Sequence, residues 1–283
     1  MTKISVITTF YNGNKYISRL VEMINNNAKW GKKQNVELEF VIVNDSPWID
    51  VELNESDVKE FSYKLIKNDI NRGIHFSRVV GVNGCDGEYL TFLDQDDEIA
   101  DDYVVSQYNA LKEANVVICN GIKESNKQKK IYGDRIKFSF INKVGFYLKA
   151  ANQVVSPGQC LIRKKTIPQE WKRYILKTNG SDDLFLWLLL LSKGERFSKN
   201  NKLLYLHKQV GQNLSNDIEM MCKSDREMCE LAVKYKLLPE KYISKRLRMC
   251  DFLQNNDYEN KIKNVKSLKY LDIVIAKVIA YYI

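Results

Sequence analysis

Apolar residues in the first hundred positions fall into short continuous runs that are rich in β-branched side chains. Polar turn residues bound each run, which is the pattern of buried strands. The predicted strands cover residues 4–9, 36–43, 63–66 and 88–93. The segments between them carry apolar residues at helical spacing, with Asn12 or Asn14 as the expected cap of the first helix. This alternation predicts an α/β fold with an open, mostly parallel sheet.

The remainder of the chain is predicted to continue the sheet and then to become helical. A helix over 101–113 and a strand over 115–119 precede a polar, irregular segment, 123–150. A loop enters a strand at 156–162, and a helix over 182–192 is apolar on every side, so we expect it to be buried. The expected division is a catalytic domain over 1–215, with a nucleotide-binding half over 1–100 and an acceptor half over 101–215, and a helical appendage over 216–283.

Polar clusters follow three of the predicted strands. They are Thr9 to Tyr11, Asn44-Asp45 and Asp94-Gln95-Asp96-Asp97. Parallel strands present their carboxyl ends at one edge of a sheet, where ligands bind in such folds. Crowded carboxylates repel one another unless a cation neutralises them, and Mg²⁺ or Mn²⁺ takes oxygen ligands. The alternative for 94–97 is the N-terminal cap of the next helix.

Composition narrows the class of protein. Hydrophobic residues make up 45% of the chain, which is enough for a full core without disulfides. The six cysteines include no C-x-x-C pair and there are two histidines, which argues against a conventional zinc site. Scattered cysteines, no signal-peptide pattern and no run of 18 apolar residues lead us to expect a cytoplasmic protein.

Positive charge is concentrated near the C-terminus. Residues 241–283 hold nine Lys and Arg against four Asp and Glu, in a chain whose net charge is +9. This distribution indicates a local partner rather than a nucleic-acid footprint. Apolar residues from Val265 to Tyr282 recur at helical spacing, with Lys266, Lys269 and Lys277 on the opposite face. Such a helix lies on the inner face of an anionic membrane, or it docks on the protein's own core or a second subunit. The sequence does not fix the oligomeric state.

Four blocks in the first 100 residues, taken in their order and spacing, resemble the family 2 glycosyltransferases, which have the GT-A fold. They are Ser5 to Asn12, Val41 to Ser46, Asn71-Arg72-Gly73 through Arg78, and Gly87 to Asp97. A weaker fifth match, Ser181 to Trp187, is similar to the acidic pair and apolar helix that carry the family's catalytic base. The chain departs from the family at Asn44 and Val79, which makes the identity of the nucleotide less certain.

The resemblance implies a role for each matching position. The nucleotide sugar would contact Thr9, Tyr11, Asp45, Arg78, Asp94 and Gln95. The metal, Mn²⁺ or Mg²⁺, would be held by Asp96, Asp97 and His207. Asp183 would be the general base, and Gln159 and Asp182 would face the acceptor.

The expected activity is inverting transfer of a sugar from a nucleotide diphosphate, UDP by family frequency, to an acceptor hydroxyl. The acceptor would be a surface glycan or a lipid-linked glycan. Two alternatives remain open at this point. A metal-dependent nucleotidyltransferase also uses carboxylates at strand ends but does not account for Asp182 and Asp183. A non-catalytic nucleotide-sugar-binding scaffold would use the basic C-terminus as its working surface.

Overall fold

The computed structural model describes residues 1–124, 128–133, 135–208, 217–255 and 269–282. Two predictions fall partly outside these ranges. The loop that follows His207 is described only as far as Lys208, and Val265 and Lys266 of the basic helix are not described.

The described residues divide into two units by packing. The first comprises those within Met1–Ile131, Ser156–Ile167 and Arg196–Val210. The second comprises those within Tyr132–Val155, Pro168–Glu195 and Gly211–Ile283. This division follows packing, and the functional boundary expected at residue 215 stays a prediction.

The first unit contains every strand found in the described residues, and they form one sheet in the order β3-β2-β1-β4-β8-β6-β9-β5, with β7 beside β6. The strands are β1 (Thr2–Phe10), β2 (Val36–Asn44), β3 (Ser62–Lys67), β4 (Tyr89–Phe92), β5 (Glu98–Ile99), β6 (Val116–Lys123), β7 (Lys129–Lys130), β8 (Cys160–Arg163) and β9 (Phe197–His207). Strands β1 to β4 pair in parallel, as their continuous apolar runs predict. Strands β5, β7 and β8 run antiparallel to their neighbours, so the mostly parallel α/β sheet is confirmed.

Three helices pack in the first unit: α1 (Asn14–Lys32), α2 (Ile74–Gly84) and α3 (Tyr103–Leu111). The buried face of α1 carries Ile17, Leu20 and Ile24, as its spacing predicts. The predicted cap is wrong, because Gly13 is the N-cap residue and no side chain caps the helix. The Asn14 side chain instead donates to the carbonyl of Asp50 at 3.0 Å and accepts from the amide of Glu52 at 3.1 Å. These bonds join the start of α1 to the segment that follows β2.

The regular secondary structure in the described residues of the second unit is helical. Its helices are α4 (Arg135–Ser139), α5 (Val144–Lys149), α6 (Gln169–Arg173), α7 (Asp182–Ser192), α8 (Ile218–Lys234), α9 (Glu240–Gln254) and α10 (Leu271–Tyr282). Helix α7 is buried from Leu184 to Leu191, as its all-round apolar sequence predicts. The expectation of an irregular segment over 123–150 is wrong, because α4 and α5 form there. Their buried aromatic residues Phe138 and Tyr147 pack in the core despite the polar composition around them.

One face of α10 docks on the unit's own core. Tyr270 and Ile273 pack against Met249 and Phe252 of α9. Lys277, which was expected on the solvent face, lies over the Phe252 ring with its Nζ 5.7 Å from the centroid. The core-docking alternative therefore holds for this face. Within the described residues, no helix is both long enough and apolar enough to traverse a bilayer.

Candidate active site

The carboxyl ends of β1, β2 and β4 lie at one edge of the sheet. Phe10 is in register with Asn44, and Ile7 is in register with Phe92. The parallel ladder continues past the strand ends, because the amide of Asp45 donates to the carbonyl of Phe10 at 2.9 Å and that of Leu93 to Ile7 at 2.9 Å. The polar groups that follow these three strands therefore share one edge, as predicted from their positions in the sequence.

Gln95 ties the end of β1 to the turn after β4. Its Oε1 accepts from the Tyr11 amide at 3.0 Å, and its Nε2 donates to the Tyr11 carbonyl at 3.0 Å. Gln95 was predicted to contact the nucleotide sugar. The structure shows both ends of its amide bonded to the backbone of Tyr11, and contact with a nucleotide sugar stays a prediction. Thr9, the residue before the last of β1, is half-buried.

An exposed pair of aromatic rings stands at this edge. Half of the Tyr11 surface is exposed, and its ring meets that of Trp48 edge to face at 5.9 Å. The Trp48 indole Nε1 donates to Asn12 Oδ1 at 3.0 Å, which satisfies its polar atom and holds the ring in place. Sequence reasoning missed Trp48, although an exposed tryptophan two residues after the Asp45-Ser46 turn was a usable signal.

Asp45 holds the turn that opens α2. Its carboxylate accepts from the amides of Arg72 at 2.8 Å and Gly73 at 2.9 Å, and from the side chain of Asn68 at 2.8 Å. Gly73 has φ 84°, a conformation that suits glycine, so the Asn-Arg-Gly sequence and Asp45 together define this turn. Asp45 is buried at the predicted edge, and its carboxylate also organises the 71–73 loop.

A buried ion pair links α2 to the end of β4. Arg78 is 4% exposed, and its guanidinium donates to Asp94 Oδ1 at 2.7 Å. The other oxygen of Asp94 accepts from the hydroxyl of Ser156 at 3.1 Å. Arg78 and Asp94, which were each predicted to contact the nucleotide sugar, are in direct contact with each other. Ser156, which the sequence did not single out, completes the pairing of this carboxylate.

Asp97 is a buried carboxylate in contact with His207. It is 1% exposed, and its carboxylate accepts from the Tyr205 hydroxyl and from the Lys208 amide at 2.8 Å. The Nδ1 atom of His207 lies 3.2 Å from Asp97 Oδ1. Asp97 was predicted as a metal ligand, but burial and these donors direct it towards the end of β9. The Asp97 contact uses Nδ1 of His207, so Nε2 is the ring nitrogen that the predicted metal ligation would use.

The protonation of His207 reflects this contact. Burial alone would lower the pKa of the imidazole, but the hydrogen bond that the Asp97 carboxylate accepts from Nδ1 and the charge of that carboxylate outweigh the effect of burial. The pKa of His207 is therefore raised.

Asp96 is the carboxylate of this cluster that is left without a cationic side chain among the described residues. Arg19 holds its backbone by donating to the Asp96 carbonyl at 2.9 Å. Burial, followed by the negative charges of Asp97 and Asp94, raises the pKa of Asp96 to about 6. A nearby cation would relieve this unfavourable charge. The described residues include no cluster of three metal-ligating side chains. Metal binding by Asp96, Asp97 and His207 therefore stays a prediction.

The second unit carries the predicted acidic pair at the start of α7. Asp183 is half-buried, and its Oδ2 accepts from the Asn152 side chain at 2.7 Å. Asp182 is buried, and its carbonyl accepts from the Trp171 indole at 2.8 Å. Asn152 was missed, because nothing in the 123–155 sequence marked it as a neighbour of α7.

Gln159 departs from the prediction that it faces the acceptor. Its side chain is fully buried in the first unit and donates to the carbonyl of Cys119 at 2.9 Å. It also forms a capping box with Ser156 in the short turn Pro157–Gln159. This glutamine therefore stabilises the turn that presents Ser156 to Asp94.

Comparison with known proteins agrees with this architecture. The chain matches the profile described as Glycosyl transferase family 2 over residues 5–169. An uncharacterized glycosyltransferase of Haemophilus influenzae is 31% identical over 124 residues, covering 43% of this chain and 47% of its own length. A teichoic acid poly(glycerol phosphate) polymerase of Staphylococcus epidermidis is 29% identical over 111 residues, covering 38% and 14%. The chain spans less than half the length of the curated relatives it matches.

The fold is shared with a solved structure of TarS. Residues 1–349 of TarS from S. aureus, in complex with UDP-GlcNAc, superpose with a TM-score of 0.67 at 17% identity, covering 99% of this chain and 81% of that one. The fold is thus GT-A, as expected. Because the family match spans more than half of the chain, the protein belongs to glycosyl transferase family 2.

Replacing Gln95 tests the bridge between β1 and the turn after β4. Gln95→Leu keeps the size of the side chain but removes both hydrogen bonds to Tyr11, so we expect a loss of about 1–2 kcal/mol in the free energy of unfolding, measured by urea denaturation. Gln169→Leu, at an exposed position of α6, is the matched control and should change stability by less than about 0.5 kcal/mol. An unaltered urea midpoint for Gln95→Leu would contradict the proposed bridge.

Proposed function

We propose that the protein is an inverting glycosyltransferase that transfers a sugar from a nucleoside-diphosphate sugar to an acceptor hydroxyl. A UDP sugar is the donor that we propose first. The observation that carries the proposal is the edge formed by β1, β2 and β4. There an aromatic pair, a buried Arg78–Asp94 pair and the Asp96 carboxylate lie in one packing unit. In this proposal the aromatic pair would stack on the base, Asp94 would hydrogen-bond to the ribose or the sugar, and Asp96 would hold a cation that binds the diphosphate.

The nucleoside would bind at Tyr11, with Thr9 and Asp45 beside it. The exposed Tyr11 ring can stack on a base, and Trp48 extends the same aromatic surface. Asp94 would contact the ribose or the sugar, since Arg78 and Ser156 hold its carboxylate in one orientation. The TarS complex with UDP-GlcNAc, which has the same fold, makes a UDP sugar the first donor to test.

A divalent cation, Mn²⁺ or Mg²⁺, would be held by Asp96 and His207. When bound, it supplies positive charge to the diphosphate, which gains negative charge as the glycosidic bond to phosphate breaks. Asp97 keeps His207 in one orientation through Nδ1, and Arg19 holds the backbone of Asp96. These contacts preorganise both ligands before the donor binds.

Asp183 would act as the general base. The acceptor oxygen forms a bond to the anomeric carbon while the bond from that carbon to the phosphate oxygen breaks. The hydroxyl proton passes to the Asp183 carboxylate, and the nucleoside diphosphate leaves. A single direct displacement inverts the anomeric configuration. Asn152 holds one carboxylate oxygen of Asp183, and Asp182 stays the predicted neighbour of the acceptor.

The acceptor is proposed to be a glycan or lipid-linked glycan of a cell-surface polymer. The family and the similarity to a teichoic acid polymerase support this class. Contact with the cytoplasmic face of a membrane stays a prediction. The side of α10 that bears Leu271, Ile275 and Val278 is exposed and would be the surface involved.

Nucleotide binding is tested by a thermal-shift panel of UDP, GDP and dTDP sugars with and without Mn²⁺. We expect one nucleotide class to raise the melting temperature by about 5 °C at a ligand concentration roughly 100 times Kd, and only with metal present. Asp96→Asn should abolish the metal-dependent part of the shift, because the amide removes the anionic ligand. Asp57→Asn, at an exposed site, should retain the full shift. A shift that is independent of metal in the wild type would overturn the cation site.

Replacing the proposed base separates catalysis from binding. Asp183→Asn should reduce the release of nucleoside diphosphate from the donor at least about 100-fold, since general-base catalysis is lost, while the thermal shift with nucleotide is kept. Asp251→Asn, a half-exposed partner of Arg226, is the control and should retain the wild-type rate. Release of pyrophosphate would instead favour a nucleotidyltransferase. Absence of turnover by the wild type with any donor and acceptor would favour a binding scaffold.

A further inference from the structure

The loop that leads into α7 is held by side chains of α8. The two carboxylate oxygens of Glu227 accept from the amides of Lys177 at 2.6 Å and Thr178 at 2.9 Å. The hydroxyl of Ser224 donates to the Thr178 carbonyl at 2.8 Å and accepts from the Ser181 amide at 3.0 Å. Side chains of α8 therefore provide hydrogen-bond partners for the backbone N–H and C=O groups of this loop.

Shape complementarity accompanies these hydrogen bonds. Gly180 has φ 134°, and a Cβ at this position would stand 2.8 Å from the sulfur of Met221. Met221, Ser224 and Asp225 are spaced three and four residues apart, so they lie on one face of α8. This face contacts the loop immediately before Asp182 and Asp183.

Ser181 uses its side chain in an unusual way. It is the N-cap residue of α7, where a serine hydroxyl ordinarily accepts from an amide of the first turn. No such bond is present, and its hydroxyl donates to Asp225 Oδ1 at 2.7 Å. The N-cap residue of α7 is thus held by a side chain of α8 and does not cap its own helix.

Asp225 is itself held by a buried arginine. Arg246 of α9 donates to Asp225 Oδ2 through Nε at 2.9 Å and through a terminal nitrogen at 2.5 Å, and a third bond reaches the Tyr147 carbonyl at 3.0 Å. Asp225 is 1% exposed and Arg246 is 6% exposed. A buried pair of this kind restricts geometry strongly, because either charge left alone would be costly.

From these contacts we infer that Ser181, Asp225 and Arg246 are positioning residues for Asp183. The chain of contacts runs from Arg246 through Asp225 to Ser181, two residues before Asp183. The inference rests on the proposed role of Asp183 as the base. It also assigns a function to the C-terminal helices: α8 and α9 belong to the catalytic apparatus rather than to an appendage.

The test compares Ser181→Ala and Asp225→Asn with Ser192→Ala, which removes a serine hydroxyl bond to the Leu189 carbonyl at the other end of α7. The rate of donor cleavage at saturation should fall about 10-fold to 100-fold in the first two variants, with the KM for the donor within about two-fold of wild type. Ser192→Ala should keep the wild-type rate. Adding Ser181→Ala to Asp183→Asn should cause no further loss, since the serine acts through the aspartate. A further loss in that double variant, or equal effects of Ser181→Ala and Ser192→Ala, would overturn the inference.

Hydrogen–deuterium exchange supplies a readout that does not depend on activity. The peptide covering 177–184 should exchange faster in Ser181→Ala and Asp225→Asn, and at the wild-type rate in Ser192→Ala. Unchanged exchange in both test variants would overturn the positioning claim even if the enzyme is active. If the wild type turns over no donor while exchange responds as expected, the proposed function fails and the structural coupling stands.

Discussion

Three carboxylates within four residues at the end of β4 impose the constraint on which the site depends. Each negative charge at this edge of the sheet needs a compensating group, and the fold supplies different groups to Asp94 and to Asp97. Arg78 and Ser156 compensate Asp94. The end of β9 compensates Asp97, through His207 and the amide of Lys208. Asp96 keeps a raised pKa, and this residual charge is the reason to place the cation there.

Compensation of these charges links distant parts of the chain. Arg78 comes from α2, whose opening turn is organised by Asp45, and Ser156 comes from the turn that Gln159 braces. The second unit shows the same principle. Asp225 is paired with Arg246, and it in turn holds Ser181 at the start of α7. The two buried ion pairs differ in their proposed roles. Asp94 of the Arg78–Asp94 pair is itself proposed to contact the donor, whereas the Arg246–Asp225 pair is proposed to act only through Ser181.

The sequence predicted the sheet well, because strands buried on both faces leave continuous apolar runs and the polar residues after them must share an edge. The sequence predicted which residues lie in the site region better than it predicted which partners their side chains bind. Gln95, Asp97 and Gln159 are in the site region, but their side chains bond to neighbours that are far away in sequence: Tyr11, Tyr205 and Cys119. Such long-range hydrogen bonds leave no local pattern. Asn152 contacts Asp183 through a hydrogen bond of the same long-range kind, and no local pattern in the sequence marked it.

Asp96 is proposed to anchor a cation and a nucleoside diphosphate at the edge formed by β1, β2 and β4. The most direct measurement is the anomalous scattering of manganese in a crystal of the protein grown with UDP and Mn²⁺. We expect a manganese peak within coordination distance of the Asp96 carboxylate, with the uracil ring on Tyr11. A manganese peak away from Asp96, or UDP bound at another part of the sheet, would contradict it.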